Sequence, residues 1–381
     1  MSPLNSFLRG IRVLDLSRYV PGPLASLLFA DMGAEVVKIE PSFGDDLQGL
    51  GPRGPDGRPV FYESINAGKA VLQLDLKKAA DKEVLLELVS TADVLIEGFR
   101  PGAMKRLGLD YKSLEAVNPR LIYCAINGYG ATGPMALAAG HDNNYLALAG
   151  VLHRNGISDP IFFDPPISDT SGSLFAAIAI LGALHGRART GRGCEIDLAL
   201  ADVAMPLQLL QVAAVGATGH VPGREETYLN SGAAYYRVYR TRDGRHIALG
   251  AVEPKFWRAF CEAAERTEWI LRQSEPTPQK DLILKVGAYF ASLTLAECVT
   301  RFDGIDCCVS PVLDLGEAID TPHVRHRGLV RRDASGDLQA LFPAVVGGAP
   351  PCIREKLRSV SADEARAAFA AGRNSDQGGA K

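Results

Sequence analysis

Two short stretches concentrate side chains that can move protons. Residues 138–150 read AAGHDNNYLALAG and set His141 beside Asp142 among apolar neighbours. Histidine is the residue type whose ordinary titration range suits proton exchange near neutrality, and an adjacent carboxylate can orient the ring or tune it. The bland alternative is a histidine satisfied within a core. Residues 168–173 read SDTSGS and place Asp169 directly before the apolar run 174–184. On that pattern alone Asp169 is a helix cap, accepting backbone N–H groups that the first turn leaves free. A third carboxylate, Glu253, precedes Pro254 in GAVEPKFW (250–257), which by itself marks a turn.

The elements that must carry these groups follow from periodicity. IRVLDL (11–16) is a β-branched run, PLASLLFADMG (23–33) has helical spacing, and EVVKIE (35–40) is a second strand. The alternation continues through AVLQLDL (70–76), a helix over 79–92, DVLIEGF (93–99), a short helix near 112–117, and RLIYCAIN (120–127). Strands and helices in this order predict a mostly parallel, doubly wound α/β sheet. A long helix over 168–190 and the strand CEIDLAL close the pattern. The expected organisation is a large domain over 1–200, a helical linker over 201–224 and a smaller α+β domain over 225–330. Residues 331–381 then return to the large domain and end in a flexible tail over 372–381. Within the small domain, two period-2 runs flank a turn at Asp243-Gly244.

Bulk composition narrows the function classes. The chain has 381 residues, 47% hydrophobic and 22% charged, which is enough to form real cores. Lys plus Arg number 41 against 44 Asp plus Glu, so no basic footprint for nucleic acid or an anionic membrane is present. Seven cysteines lie at 124, 194, 261, 298, 307, 308 and 352 without a C-x-x-C pair, a reduced pattern that implies neither a disulfide framework nor a zinc site. The N-terminal MSPLNSFLRG lacks a secretory pattern. The longest apolar run, Leu174 to Leu184, falls short of the roughly 18 residues of a membrane span. The expectation is a soluble, cytoplasmic protein without bound metal.

One motif invites a wrong turn. GYGATG (128–133) matches G-x-G-x-x-G after a strand, but Pro134 stands where a helix must start, and no acidic residue follows about 20 positions on. Nicotinamide or flavin binding is therefore not expected.

Taken together, DLSRYVPGPLASLLFADMGAEVVKIE (15–40), NAGKAVLQLDLK (66–77), VLIEGFRPGAMKRLGLDYKSL (94–114), LIYCAINGYGATGP (121–134) and GALHGRARTGRGCEIDLALADV (182–203) resemble one family. It is that of the class III coenzyme A transferases, or CaiB/BaiF family, which includes the α-methylacyl-CoA racemases. The resemblance implies a Rossmann-like large domain, a small domain and an interlocked homodimer, with an acyl-CoA as substrate. It implies that Lys38, Lys77, Arg100 and Arg106 meet the phosphates of CoA, a role cations near sheet ends suit. Gly140 and Tyr145 would contact the pantetheine side. NAGKAV departs from the family at Ala67 and Ala70, where further basic residues are usual.

The family implies two chemistries. In its transferases an aspartate attacks the thioester and forms an acyl anhydride. In its racemases two acid/base groups remove and return the α-proton through an enolate. Asp169 matches the aspartate of either. GHDNNYLALAG resembles the racemase version, with His141 as an acid/base and Asp142 beside it, and GAVEPKFW places Glu253 in the same network. FDGIDCCVSPVL (302–313) follows the racemase pattern as well, which makes Cys307 and Cys308 packing residues rather than nucleophiles. The resulting expectation is a racemase or epimerase of 2-methylacyl-CoA thioesters, within fatty acid metabolism, that needs no cofactor beyond the CoA moiety. The alternative is a CoA-transferase with Asp169 as nucleophile. SDTSGS and FFDPPI (162–167) depart from the racemase pattern beside the acyl site.

Overall fold

Hydrophobic residues occupy both faces of each central strand, so the sheet they form must be covered on both sides. In the computed structural model, which describes residues 2–371, that sheet has seven parallel strands. They are β1 (Arg12–Asp15), β2 (Glu35–Glu40), β3 (Ala70–Gln73), β4 (Val94–Glu97), β5 (Ile122–Asn127), β6 (Cys194–Ala199) and, later in the chain, β12 (Arg358–Ser359). Their spatial order is β12-β3-β2-β1-β4-β5-β6. The expected tail over 372–381 lies outside the described residues.

Neighbouring residues on β1 show how the two cores arise. Leu14 joins Val37, Leu72 and Leu95 with Leu85 and Leu88 of the helix Ala79–Val89 on one face. Val13 joins Val36, Ile96 and Ile122 with Phe29 of α1 (Pro21–Asp31) and Ile180 on the other. Full burial of side chains this size is worth about 1.5–3 kcal/mol each.

Contacts divide the chain into two compact units. The first is drawn from Met1–Ala149, Phe163–Leu207 and the stretch from Thr321 onward; the second is Gly150–Phe162 and Gln208–Asp320. The stretch 201–224, expected as one helical linker, is thus shared, with the helix Leu200–Val203 in the first unit and the helix Leu209–Thr218 in the second. In the first unit the late segment contributes the antiparallel pair β10 (Val330–Arg332) and β11 (Leu338–Ala340), then adds β12 beside β3. Arg354 anchors it by a bidentate pair with Asp31 at 2.6 and 2.7 Å.

The second unit carries an antiparallel sheet of β7 (Tyr236–Arg240), β8 (His246–Gly250) and β9 (Val309–Pro311). Gly244 turns the β7–β8 hairpin at φ 79°. Its core is aromatic, with Phe260 and Phe290 stacked at 5.8 Å and Trp257 fully buried.

Two helical stretches, Ile167–Thr190 and Leu200–Thr218, are long and apolar enough to cross a membrane by length and composition. This corrects the expectation drawn from the shorter run Leu174 to Leu184. The first stretch packs Ala176, Ala177 and Ile180 into the core of its unit, and its Arg187 pairs with Asp93 at 2.9 Å.

Candidate functional site

The strand order reverses at β1, which lies between β2 and β4, so the connections after β1 and β4 leave the sheet in opposite directions. In doubly wound sheets the crevice outside the carboxyl ends of such strands binds ligands. A cavity of about 400 Å³ opens there, lined by Ser17, Arg18 and Tyr19 after β1, by Gly98 to Pro101 after β4, and by Asn127 and Gly128 at the end of β5. His141, Tyr145 and Asp169 line the same cavity.

His141 ends a glycine-containing loop and stands before the helix Asp142–Leu148 with an extended backbone. Its backbone N–H donates to Asn144 Oδ1 at 3.0 Å, so Asn144 ties the loop to the helix that follows. Tyr145 is buried and its hydroxyl donates to the Gly140 carbonyl at 2.6 Å. Its ring meets Tyr129 edge-on, with centroids 5.2 Å apart. A Cβ on Gly140 would lie 2.6 Å from Tyr129 Oη, and one on Gly128 2.7 Å from Tyr145 Oη, which is why this paired packing uses glycine at both places. Burial, and after it the charge of Asp169, pushes the Tyr145 phenol up to about 12.

Asp169 is not the cap that its position before an apolar run suggested. The helix begins at Ile167, so Asp169 lies inside the first turn and its own N–H needs an acceptor. Asp142 Oδ1 supplies it at 3.0 Å. Asp142 was expected to orient the His141 ring or tune it; one of its carboxylate oxygens is directed instead to the backbone of Asp169. Three influences then compete on the Asp169 carboxyl. The helix N-terminus favours the anion, while burial and the adjacent Asp142 charge disfavour it. The last two win, burial being the larger, and the carboxyl rises to about 7.

The cations separate into two groups. Lys38 is fully buried, its ammonium 2.9 Å from Asp45 Oδ2 and 3.9 Å from Glu40 Oε1, and it donates to the Ser17 carbonyl at 2.8 Å. It is therefore no phosphate ligand, contrary to expectation, because its charge is already spent inside the protein. Lys69, which sequence reasoning passed over, is equally buried and donates to Asp15, Asn66 and the Pro23 carbonyl. Burial lowers the Lys69 ammonium, and Asp15 only partly restores it; the Asp15 carboxyl, which burial alone would raise, is held low by Lys69 and Lys38. Lys77, Arg100 and Arg106 are exposed, and Arg18 is half-buried. Arg100 lines the first cavity, Lys77 lines a second of about 340 Å³ together with Glu40, Phe43 and Leu74, and Arg18 and Phe99 line both. Arg106 lies in the last turn of the helix Ala103–Leu107 and lines neither. Lys77 lies in the turn after β3, which ends at Gln73 and not at Leu76 as expected.

Glu253 belongs to the second unit, where it is exposed and stands before the helix Pro254–Ala263, its carbonyl accepting from the N–H groups of Phe256 and Trp257. Cys307 is buried in that unit's core as expected of a packing residue, but Cys308 is exposed, with φ 55°. Among the described residues no group of three or more His, Cys, Asp or Glu is placed to hold a metal ion.

A sequence model of CoA-transferase family III matches residues 8–357. The chain is 35% identical over 326 residues to α-methylacyl-CoA racemase of Homo sapiens, covering 84% of this chain and 81% of that protein. It is 31% identical to succinyl-CoA:glutarate CoA-transferase of Mus musculus, covering 85% and 76%. Its fold matches the crystal structure of a CaiB/BaiF family protein from Brucella suis with a TM-score of 0.82 at 26% identity, over 96% of this chain and 99% of that one. With seven parallel strands wound about a shared crevice and a family match across nearly the whole chain, this protein belongs to the family III CoA-transferases, the CaiB/BaiF enzymes.

Proposed function

We propose that this chain is a racemase or epimerase of 2-methylacyl-CoA thioesters, with His141 and Asp169 as its two acid/base groups. The observation that carries the reading is that both side chains line one cavity while the Asp169 carboxyl is raised to about 7. A carboxyl so tuned exists in both protonation forms near neutral pH, which a group that must alternately take and give a proton needs.

In the forward direction one of the two groups takes the proton from C2, and the C–H electron pair moves into the thioester to form an enolate. The other group then returns a proton to the opposite face of C2, and the electron pair returns with it. Because the thioester itself acidifies the C2 proton, the reaction asks for no cofactor beyond the CoA moiety. Arg100 at the first cavity and Lys77 at the second suit the CoA phosphates, and Arg18 and Phe99, shared by both linings, form the wall along which the pantetheine arm would run. A homodimer would cover the helix Leu209–Thr218, which buries none of its residues and leaves Leu209, Leu210 and Val212 exposed.

The second reading, a CoA-transferase with Asp169 as nucleophile, is favoured by the resemblance to transferases at about 31% identity. The raised carboxyl does not separate the two, since at about 7 it supplies both the acid form and the anion that attack on a thioester needs; the placement of His141 in the same cavity favours the racemase. One enantiomer of a 2-methylacyl-CoA in deuterated water, without an acceptor acid, separates the two. Deuterium at C2 together with loss of optical purity supports the racemase; CoA transfer to added succinate or oxalate without exchange at C2 overturns it.

A further inference from the structure

Tyr19 sits at the tip of the connection between β1 and α1 with φ 63°, in the left-handed region that disfavours residues carrying a Cβ. Its neighbours hold it there. Ser17 gives its N–H to Asp15 Oδ1 at 3.0 Å, and its carbonyl receives the buried Lys38 ammonium at 2.8 Å. Arg18 pairs with Asp46 at 2.9 Å, and α1 begins at Pro21. The connection is thus anchored on both sides of the strained residue, and strain kept in place by its surroundings gathers where geometry matters for function.

The side chain that this backbone aims is an aromatic ring meeting the His141 imidazole edge-on, with centroids 6.4 Å apart and planes at 84°. Such a T-shaped contact is specific in angle as well as distance. The Tyr19 hydroxyl contributes little to holding the ring, since its nearest acceptor, Asp46 Oδ2, is 3.4 Å away. Tyr19 is exposed, and desolvation and then the Asp46 charge raise its phenol above the ordinary value.

We propose that Tyr19 is a positioning residue for His141: its ring sets the plane of the imidazole in the cavity and so keeps a ring nitrogen aimed at C2 of the bound thioester. This rests on the reading of His141 as an acid/base group. The requirement is for an aromatic ring and not for a hydroxyl, and the left-handed backbone serves to place it.

The test compares Tyr19→Phe, Tyr19→Gly and His141→Ala in the full-length protein, using one enantiomer of a 2-methylacyl-CoA and the side-chain NMR signals of ¹⁵N-histidine-labelled protein without substrate. Glycine accepts φ 63° without strain, so that variant removes the ring and keeps the backbone. Tyr19→Phe is expected to keep kcat within about twofold. Tyr19→Gly is expected to lower kcat roughly 10- to 100-fold, the scale of a misaimed catalytic group, with KM within about threefold, and to shift the His141 ring signals. Wild-type kcat with unshifted signals in Tyr19→Gly overturns the proposal, and so does a rise in KM at unchanged kcat, which marks a substrate contact instead. Full C2 exchange in His141→Ala overturns the racemase reading alone, because the His141 signals still report whether Tyr19 positions the ring.

Discussion

The carboxylate of Asp142 accepts the backbone N–H of Asp169 across 27 residues of sequence, at 3.0 Å. One side chain thereby does two things: it satisfies a free donor in the first turn of the helix Ile167–Thr190, and it sets a negative charge beside the carboxyl that the proposed chemistry uses. The two effects separate by substitution. Asp142→Asn keeps an acceptor oxygen and removes the charge, so the Asp169 carboxyl should fall, and the acidic limb of the bell-shaped kcat/KM profile should move to lower pH. Asp142→Ala also loses the cap and should cost about 0.5–2 kcal/mol in denaturant unfolding. An acidic limb that stays in place in Asp142→Asn contradicts the electrostatic role.

The raised Asp169 carboxyl makes a signed prediction about stability. Its folded-state value, about 7, lies above the ordinary 3.8, so the native protein binds this proton more tightly than the unfolded chain does. The resulting stabilisation is fully present below about pH 3.8 and is lost as pH rises through about 7. Unfolding curves of wild type and Asp169→Asn should therefore diverge across that window, wild type losing stability relative to the variant with rising pH. A difference independent of pH contradicts the assignment.

The buried pair Lys69 and Asp15 supports the connection that carries Tyr19. Lys69→Met removes the ion-pair partner of the fully buried Asp15 carboxylate, leaving it with the Ser17 N–H and the more distant Lys38 charge among its partners, and should destabilise the protein by about 3–5 kcal/mol. The double variant Asp15→Asn/Lys69→Met should recover much of that loss, because neither remaining group carries an unpaired charge. Equal stability of Lys69→Met and wild type in urea unfolding contradicts the account.

Arg100→Ala and Lys77→Ala should raise KM for an acyl-CoA several-fold while leaving kcat nearly unchanged, and the effect should weaken with added salt. Lys38→Met should instead lower stability, because Lys38 is an interior partner of Asp45 and not a surface cation. A KM effect at Lys38 with unaltered stability reverses this division.

The alternation of short β-branched runs with helical spacing was enough to read the parallel sheet, because β1 to β5 are largely buried and leave a near-continuous apolar signature, while the edge strand β6 buries only part of its length. Strand ends were read too long, as at Leu76, because apolar residues continue past β3 into the turn that covers the core. His141 and Asp169 were legible as local motifs. The bond between Asp142 and Asp169 was not, since it joins two helix starts that only the fold brings together. Lys38 illustrates a missed signal: in EVVKIE, a lysine within a strand whose neighbours Val36, Val37 and Ile39 are all buried must itself be buried and paired. Tyr19 left no signal at all, because its left-handed backbone and its contact with His141 both depend on tertiary structure.

The most direct test of two-base proton transfer follows C2 in His141→Ala and Asp169→Asn, each given the R and the S thioester separately in deuterated water. Removing one base should lower racemisation by about 10²- to 10⁴-fold. It should also confine residual exchange to the enantiomer whose C2 proton faces the surviving base, the two variants choosing opposite enantiomers. Unchanged racemisation in either variant, or exchange of both enantiomers alike in both, contradicts the account.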